Sequence, residues 1–116
     1  VNNLLVAVIA AGTAEALGAG QRAGLDPALA REVLLRSSGA SWQLEHLFPR
    51  ALAGDHRPGF TARNLLKDLG HAAALSDRPL ALAGLARKLL ERVDPDLDYG
   101  AVARLLMELP EGPGGG

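Results

Sequence analysis

Three short stretches hold polar residues that a helical bundle does not need. The first is Asn2-Asn3, at the head of a strongly apolar run. Asparagine is a poor helix former and costs free energy when buried unpaired, so this pair is either a helix cap or part of a site. The second is Ser37-Ser38-Gly39-Ala40-Ser41-Trp42, a polar junction that ends in the chain's single tryptophan. Its plain structural reading is a capped turn with a packed aromatic. The third is Gly59 to Asp68. Here Phe60, Asn64, Lys67 and His71 share one helix face, and the leucines take the other. Lys67 and Asp68 are neighbours about 100° apart around a helix axis, so they do not pair directly. A solvated helix face gives the same pattern.

Other chemistries find little support. His46, His56 and His71 lie far apart, no HxxxH or HExxH pair exists, and no metal site is expected. The absence of cysteine removes thiol catalysis and thiolate metal sites. There is no GxSxG elbow, no GxGxxG and no GxxxxGK[ST], so the chain itself carries no glycine-rich nucleotide loop.

The elements that must position these residues all read as helices. Helix one runs from about Asn3 to Ala23. Leu4, Leu5, Val8, Ile9, Gly12 and Ala16 share a face, and Val6, Ala7 and Ala10 on the other side are apolar too. A helix apolar all round is expected to be buried all round, at the centre or under a partner chain. Gly18 and Gly20 weaken its last turns, and Gly24 stops it. Helix two starts at Asp26-Pro27 and has Leu29, Val33 and Leu34 as its stripe. Helix three spans about Ser41 to Leu52, with Trp42, Leu44, Leu47 and Phe48 as its apolar set and Pro49 kinking or breaking it. Helix four covers about Thr61 to Leu75, with Leu65, Leu66 and Leu69 inward. Helix five follows Pro79, with Leu82, Leu85, Leu89 and Leu90 as its stripe. Helix six starts near Asp98 and ends before Pro110. The expected fold is an all-α, compact bundle of about six helices with a long, mostly buried first helix. One domain fills residues 1 to 110, and 111 to 116 (EGPGGG) reads as a flexible tail with nothing to pack.

Composition sets outer bounds. The 116 residues are 48% hydrophobic and 22% charged, a globular balance. A formal net charge of −1 gives no electrostatic footprint for nucleic acid or an anionic membrane. The uncharged run from Val1 to Ala14 is shorter than the roughly 20 residues a bilayer needs, so no membrane association is expected. The lack of cysteine fits a reducing compartment, and a cytoplasmic location is expected.

Taken in order, the three polar stretches resemble the C-terminal domain of the β-hydroxyacid dehydrogenase family, which includes 3-hydroxyisobutyrate dehydrogenase. Val1-Asn2-Asn3 resembles the end of its Lys-x-x-x-Asn helix start. Ser37 to Trp42 resembles its Ser-Ser-Gly-x-x-Trp turn, and Phe60 with Lys67-Asp68 its Phe…Lys-Asp helix. Gly12 to Ala16 and Gly24 to Pro27 also look like family text, and the likeness runs from Val1 to about Met107. It implies hydride transfer between NAD or NADP and a small hydroxyacid or semialdehyde, with the cofactor held mainly by an N-terminal Rossmann domain that is absent from this chain. The acid/base lysine would fall just before Val1, so the isolated chain is expected to be inactive. Asn3 matches the asparagine that orients lysine and substrate. Trp42, Phe60 and Asp68 match substrate-cleft positions, and Lys67 matches a lysine that reaches the cofactor. Asn2-Asn3 in place of a His-Asn pair implies small hydroxyacids rather than 6-phosphogluconate. The family also implies a homodimer or homotetramer. The alternative reading is a stand-alone, non-catalytic helical dimerisation module.

Overall fold

Alanine, more than leucine, decides how this chain packs. The computed structural model describes residues 1–112. Helix α1 (Asn2–Arg22) buries Ala7, Ala10, Ala14, Leu17 and Gly18. Small side chains let neighbouring helices approach closely, and α1 packs against five other elements. The larger apolar residues of the opposite side are not buried: Leu5 is 58% exposed, and Leu4, Val8 and Ile9 are only partly covered. Within this chain alone, the expected burial all round is met on one face only. Helix one is central, with one covered face and one open face. Its length and composition would also allow it to cross a bilayer, because the apolar character runs past Glu15 to Arg22. The expectation that it is too short counted only to Ala14. Its packing against five other elements makes it a core helix.

The same inversion recurs in the two helices that follow this logic. α2 (Pro27–Leu34) begins after Asp26 as expected, yet Leu29 and Val33 are exposed and none of its residues is fully buried. α6 (Ala81–Leu90) buries Ala83, Ala86 and Leu90, while Leu82 and Leu85 are 67% and 61% exposed.

Between them, the expected third helix is two: α3 (Trp42–His46) and α4 (Phe48–Leu52). Pro49 occupies the first turn of α4, where its missing N–H costs nothing, so the chain restarts there rather than kinks. Leu44, Leu47, Phe48 and Ala51 enter the core. Trp42 is exposed, so its plain reading as a packed aromatic does not hold. α5 (Ala62–Leu75) starts at Thr61, whose hydroxyl accepts from the Asn64 N–H at 3.2 Å, and buries Leu65 and Leu69. Phe60 therefore precedes the helix and does not share the face of Asn64, Lys67 and His71. The last element is a 3₁₀ helix (Tyr99–Leu105), with Val102, Ala101 and Ala103 in the core. Its C-terminal end meets α1 at Gly18, where a Cβ would fall on the Leu106 carbonyl.

Among the described residues there is no strand, only an isolated bridge between Thr61 and Asp98. Around it the backbone of 95–99 runs beside 56–63, through Ala62 N–H to Leu97 C=O, Tyr99 N–H to Phe60 C=O and Asp98 N–H to His56 C=O. The C-terminal segment does not leave the body at residue 111: Pro110 and Gly112 lie against Gly54, whose positive φ of 74° also needs glycine. The rest of the expected tail, 113–116, lies outside the described residues.

Candidate functional site

The N-terminus of α1 and the middle of α5 meet through side chains 65 residues apart in sequence. The Asn3 carboxamide donates from Nδ2 to Asp68 Oδ2 at 2.6 Å, and Asn2 Nδ2 donates to Asn3 Oδ1 at 3.3 Å. Neither asparagine caps the helix; Val1 stands at the cap position without a side-chain bond. The capping reading is thus replaced by a long-range contact to a carboxylate, the stronger kind of hydrogen bond.

Beside this contact opens a groove of about 690 Å³. Asn2, Asn3, Leu5, Val6 and Ile9 form one wall. Ala40, Ser41, Trp42 and Gln43 form the rim, and Phe60 and Tyr99 close the far side. The open face of α1 is thereby explained in part, because Leu5 and Ile9 line this groove. Trp42 is 63% exposed and stacks on the His46 ring at 4.7 Å, so it stands as a rim and not as core. Its helix is held by Ser41, whose hydroxyl accepts from the Leu44 N–H, and by Arg31, which donates to the Leu44 and Glu45 carbonyls at 2.8 and 3.0 Å. Phe60 meets Tyr99 edge-on at 6.1 Å and 77°, a favourable aromatic geometry.

Of the five residues singled out from the sequence, Asn3, Trp42 and Phe60 line the groove, and Asp68 lies at its head, bonded to Asn3. Lys67 does not line it. Its side chain is exposed on α5, one position from Asp68, with no ion pair among the described residues. His46 lies on the rim, His56 is buried elsewhere, and His71 is exposed.

Sequence reasoning missed Gln43, Tyr99 and Asp98. Tyr99 and Gln43 are buried and line the groove. Burial first, and the charge of Asp98 second, push the Tyr99 phenol above its ordinary range, while a bond with Gln43 pulls the other way. The phenol is therefore neutral at ordinary pH. Nothing in the spacing of these residues links 43 to 99. Only Asp98, which caps the 3₁₀ helix through the Gly100 N–H at 2.9 Å, carried a local signal.

The site is thus an all-α frame around a groove with aromatic walls and an Asn–Asp contact at one end. The family model described as NAD-binding of NADP-dependent 3-hydroxyisobutyrate dehydrogenase matches residues 1–106. The chain belongs to the β-hydroxyacid dehydrogenase family, as the resemblance of its three polar stretches implies. It is 38% identical to the 3-hydroxyisobutyrate dehydrogenase of Pseudomonas aeruginosa over 90% of this chain and 40% of that protein. It is 35% identical to an NAD-dependent L-serine dehydrogenase of the same organism, with the same coverage. Among solved structures, Mycobacterium tuberculosis 3-hydroxyisobutyrate dehydrogenase with L-serine superposes with a TM-score of 0.81 at 26% identity, over 92% of this chain and 41% of that one. The chain thus spans about two fifths of the length of these relatives.

Proposed function

We propose that this chain is the helical substrate and dimerisation domain of an NAD(P)-dependent 3-hydroxyacid dehydrogenase or semialdehyde reductase. The observation that carries this reading is the Asn3–Asp68 bond at the head of the groove, in a chain of that family. The groove's dimensions and its neutral, partly aromatic lining fit a small hydroxyacid beside a nicotinamide ring. The chain carries no glycine-rich phosphate loop for the rest of a dinucleotide. The residues present therefore suit the reactive end of the cofactor, with the remainder held by the Rossmann domain of the longer enzyme. When bound, the nicotinamide supplies the hydride acceptor or donor.

The roles assigned to this chain's own residues come from the family likeness, and their placement supports them. Asp68 fixes the Asn3 carboxamide with its oxygen turned towards Asn2 and the groove. That oxygen holds an ammonium or hydroxyl donor in place without adding charge, which is what the acid/base lysine of the family requires. Phe60 and Trp42 border the substrate and shed water from it. Lys67, exposed and free of an ion pair among the described residues, meets a phosphate or carboxamide oxygen of the cofactor. On this reading the 116 residues alone do not turn over substrate. The reading also includes a homodimer or homotetramer and a cytoplasmic setting, the latter supported by the cysteine-free composition.

The test is kinetic. In the full-length enzyme, Lys67→Ala is expected to lower kcat/KM for the cofactor by at least about tenfold, or ~1.4 kcal/mol. Unchanged kinetics would return Lys67 to a solvated helix face. The 116-residue chain, assayed with 3-hydroxyisobutyrate or L-serine and either cofactor, is the inactive control.

A further inference from the structure

Asp98 is the buried carboxylate of the described residues, only 2% exposed. Its Oδ1 accepts from the backbone N–H of Gly59 at 2.9 Å and of Phe60 at 3.0 Å. The guanidinium of Arg50 donates to the same oxygen at 3.3 Å. Oδ2 accepts from the Gly100 N–H at 2.9 Å. Capping a helix takes one such bond; Asp98 makes four, to three separate parts of the chain. A buried carboxylate is costly to hold without partners, so a side chain with this many has its rotamer fixed by all of them.

What those bonds fix is the groove. Gly59 and Phe60 form the turn before α5, and Tyr99 and Gly100 open the 3₁₀ helix. The Tyr99 N–H also donates to the Phe60 carbonyl at 2.9 Å, so the two segments are tied by backbone and by carboxylate. Their rings then meet edge-on and form the wall that faces Asn3, Val6 and Ile9. Gly100 has no room for a side chain here, since a Cβ would lie 2.9 Å from both Asp98 Oδ2 and the Leu47 side chain.

We infer that Asp98 is a positioning residue for the substrate groove: it holds Phe60 and Tyr99 as one wall and so sets the width available to the hydroxyacid. The inference rests on the dehydrogenase reading above for the groove's use, but the clamp itself does not depend on that reading. Arg50 supports it from α4, with a half-exposed side chain that also donates to the Arg57 carbonyl at 3.0 Å.

Two measurements test it. The chain has a single tyrosine, so the 116-residue protein labelled with 3-fluorotyrosine gives one 19F resonance, from position 99. Asp98→Asn keeps one acceptor oxygen and loses the other. It is expected to move that resonance towards the free amino acid while the helical circular dichroism is retained. Asp96→Asn, at an exposed acid two residues away that pairs with Arg63, is expected to leave it in place. Arg50→Met removes a single donor and serves if Asp98→Asn does not fold; it should give a smaller shift in the same direction. An unmoved resonance in a folded variant overturns the clamp.

In the full-length enzyme, Asp98→Asn should raise KM for the hydroxyacid by about tenfold and leave KM for the cofactor within about twofold. A merely structural role would lower the active fraction and kcat without moving KM, and that pattern overturns the inference. A parent enzyme that oxidises no hydroxyacid would instead defeat the dehydrogenase reading, and the 19F result would still decide the clamp.

Discussion

His56 shows how much a single residue's surroundings add to its identity. In the sequence it is one of three scattered histidines, without a metal-binding neighbour. In the fold it is 1% exposed, and its Nδ1 has no hydrogen-bond partner among the described residues. Burial first, then the charge of Arg104, lower its pKa; Arg50 acts the same way, while Asp98 and Asp55 oppose. The folded protein therefore holds the neutral imidazole, and the unfolded chain binds a proton more readily. Stability from this residue is present above the unfolded pKa near 6.5 and is lost as the pH falls from there through the lower folded value. The expected result is a falling Tm between about pH 7 and pH 5, followed by calorimetry. His56→Leu should flatten that part of the profile. An unchanged slope would show that His56 does not titrate in this range. The same distinction governs the candidate site. Asn3, Trp42, Phe60, Lys67 and Asp68 were legible as residue types in a known order. Tyr99 and Gln43 were not, and Asp98 was legible only as a helix start, because the bonds that bring them to the groove join segments about 40 to 55 residues apart and leave no local pattern.

At the scale of elements, helix positions were largely legible and helix faces were not. Caps and breakers act locally, so Asp26-Pro27, Thr61 and Gly24 mark starts and stops where the structure has them. The terminal helix near Asp98 begins where expected but winds as 3₁₀, pinned by the Asp98 cap and the short path to Leu106. Which face turns inward is a tertiary matter. On α1 and α6 both faces are apolar, and the one with alanines won because it lets the axes approach. Two glycines of α1 test that packing with opposite signs. At Gly18 a Cβ would overlap the Leu106 carbonyl, and backbone cannot move aside cheaply. Gly18→Ala is expected to cost about 1–3 kcal/mol in denaturant unfolding. At Gly12 nothing lies within 4 Å of the added methyl. Gly12→Ala should therefore raise stability by about 0.5–1 kcal/mol, the helix-propensity gain alone. If both substitutions stabilise, α1 and the chain after the 3₁₀ helix do not approach as closely as described.

At the scale of the whole molecule, burying alanines has a cost on the outside. Leu82 and Leu85 of α6 stand exposed beside Val8, Gly12 and Leu89, around a second apolar groove of about 390 Å³ between α1 and α6. Leu29 and Val33 of α2 are exposed as well. Large apolar side chains clustered this way are uncommon on surfaces that face only water. The dimerisation role proposed for this domain uses such a surface, and it makes a direct prediction. The 116-residue chain is expected to sediment as a dimer at micromolar concentration. A Leu82→Lys and Leu85→Lys double variant should sediment as a monomer with the same helical circular dichroism, since neither side chain belongs to the core. A new lysine on this face meets Lys88 and the Glu15 carboxylate at its margin, so the effect should weaken little with salt if apolar contact is the driving force. A parent chain that is monomeric throughout this range would remove the dimerisation role from α1 and α6.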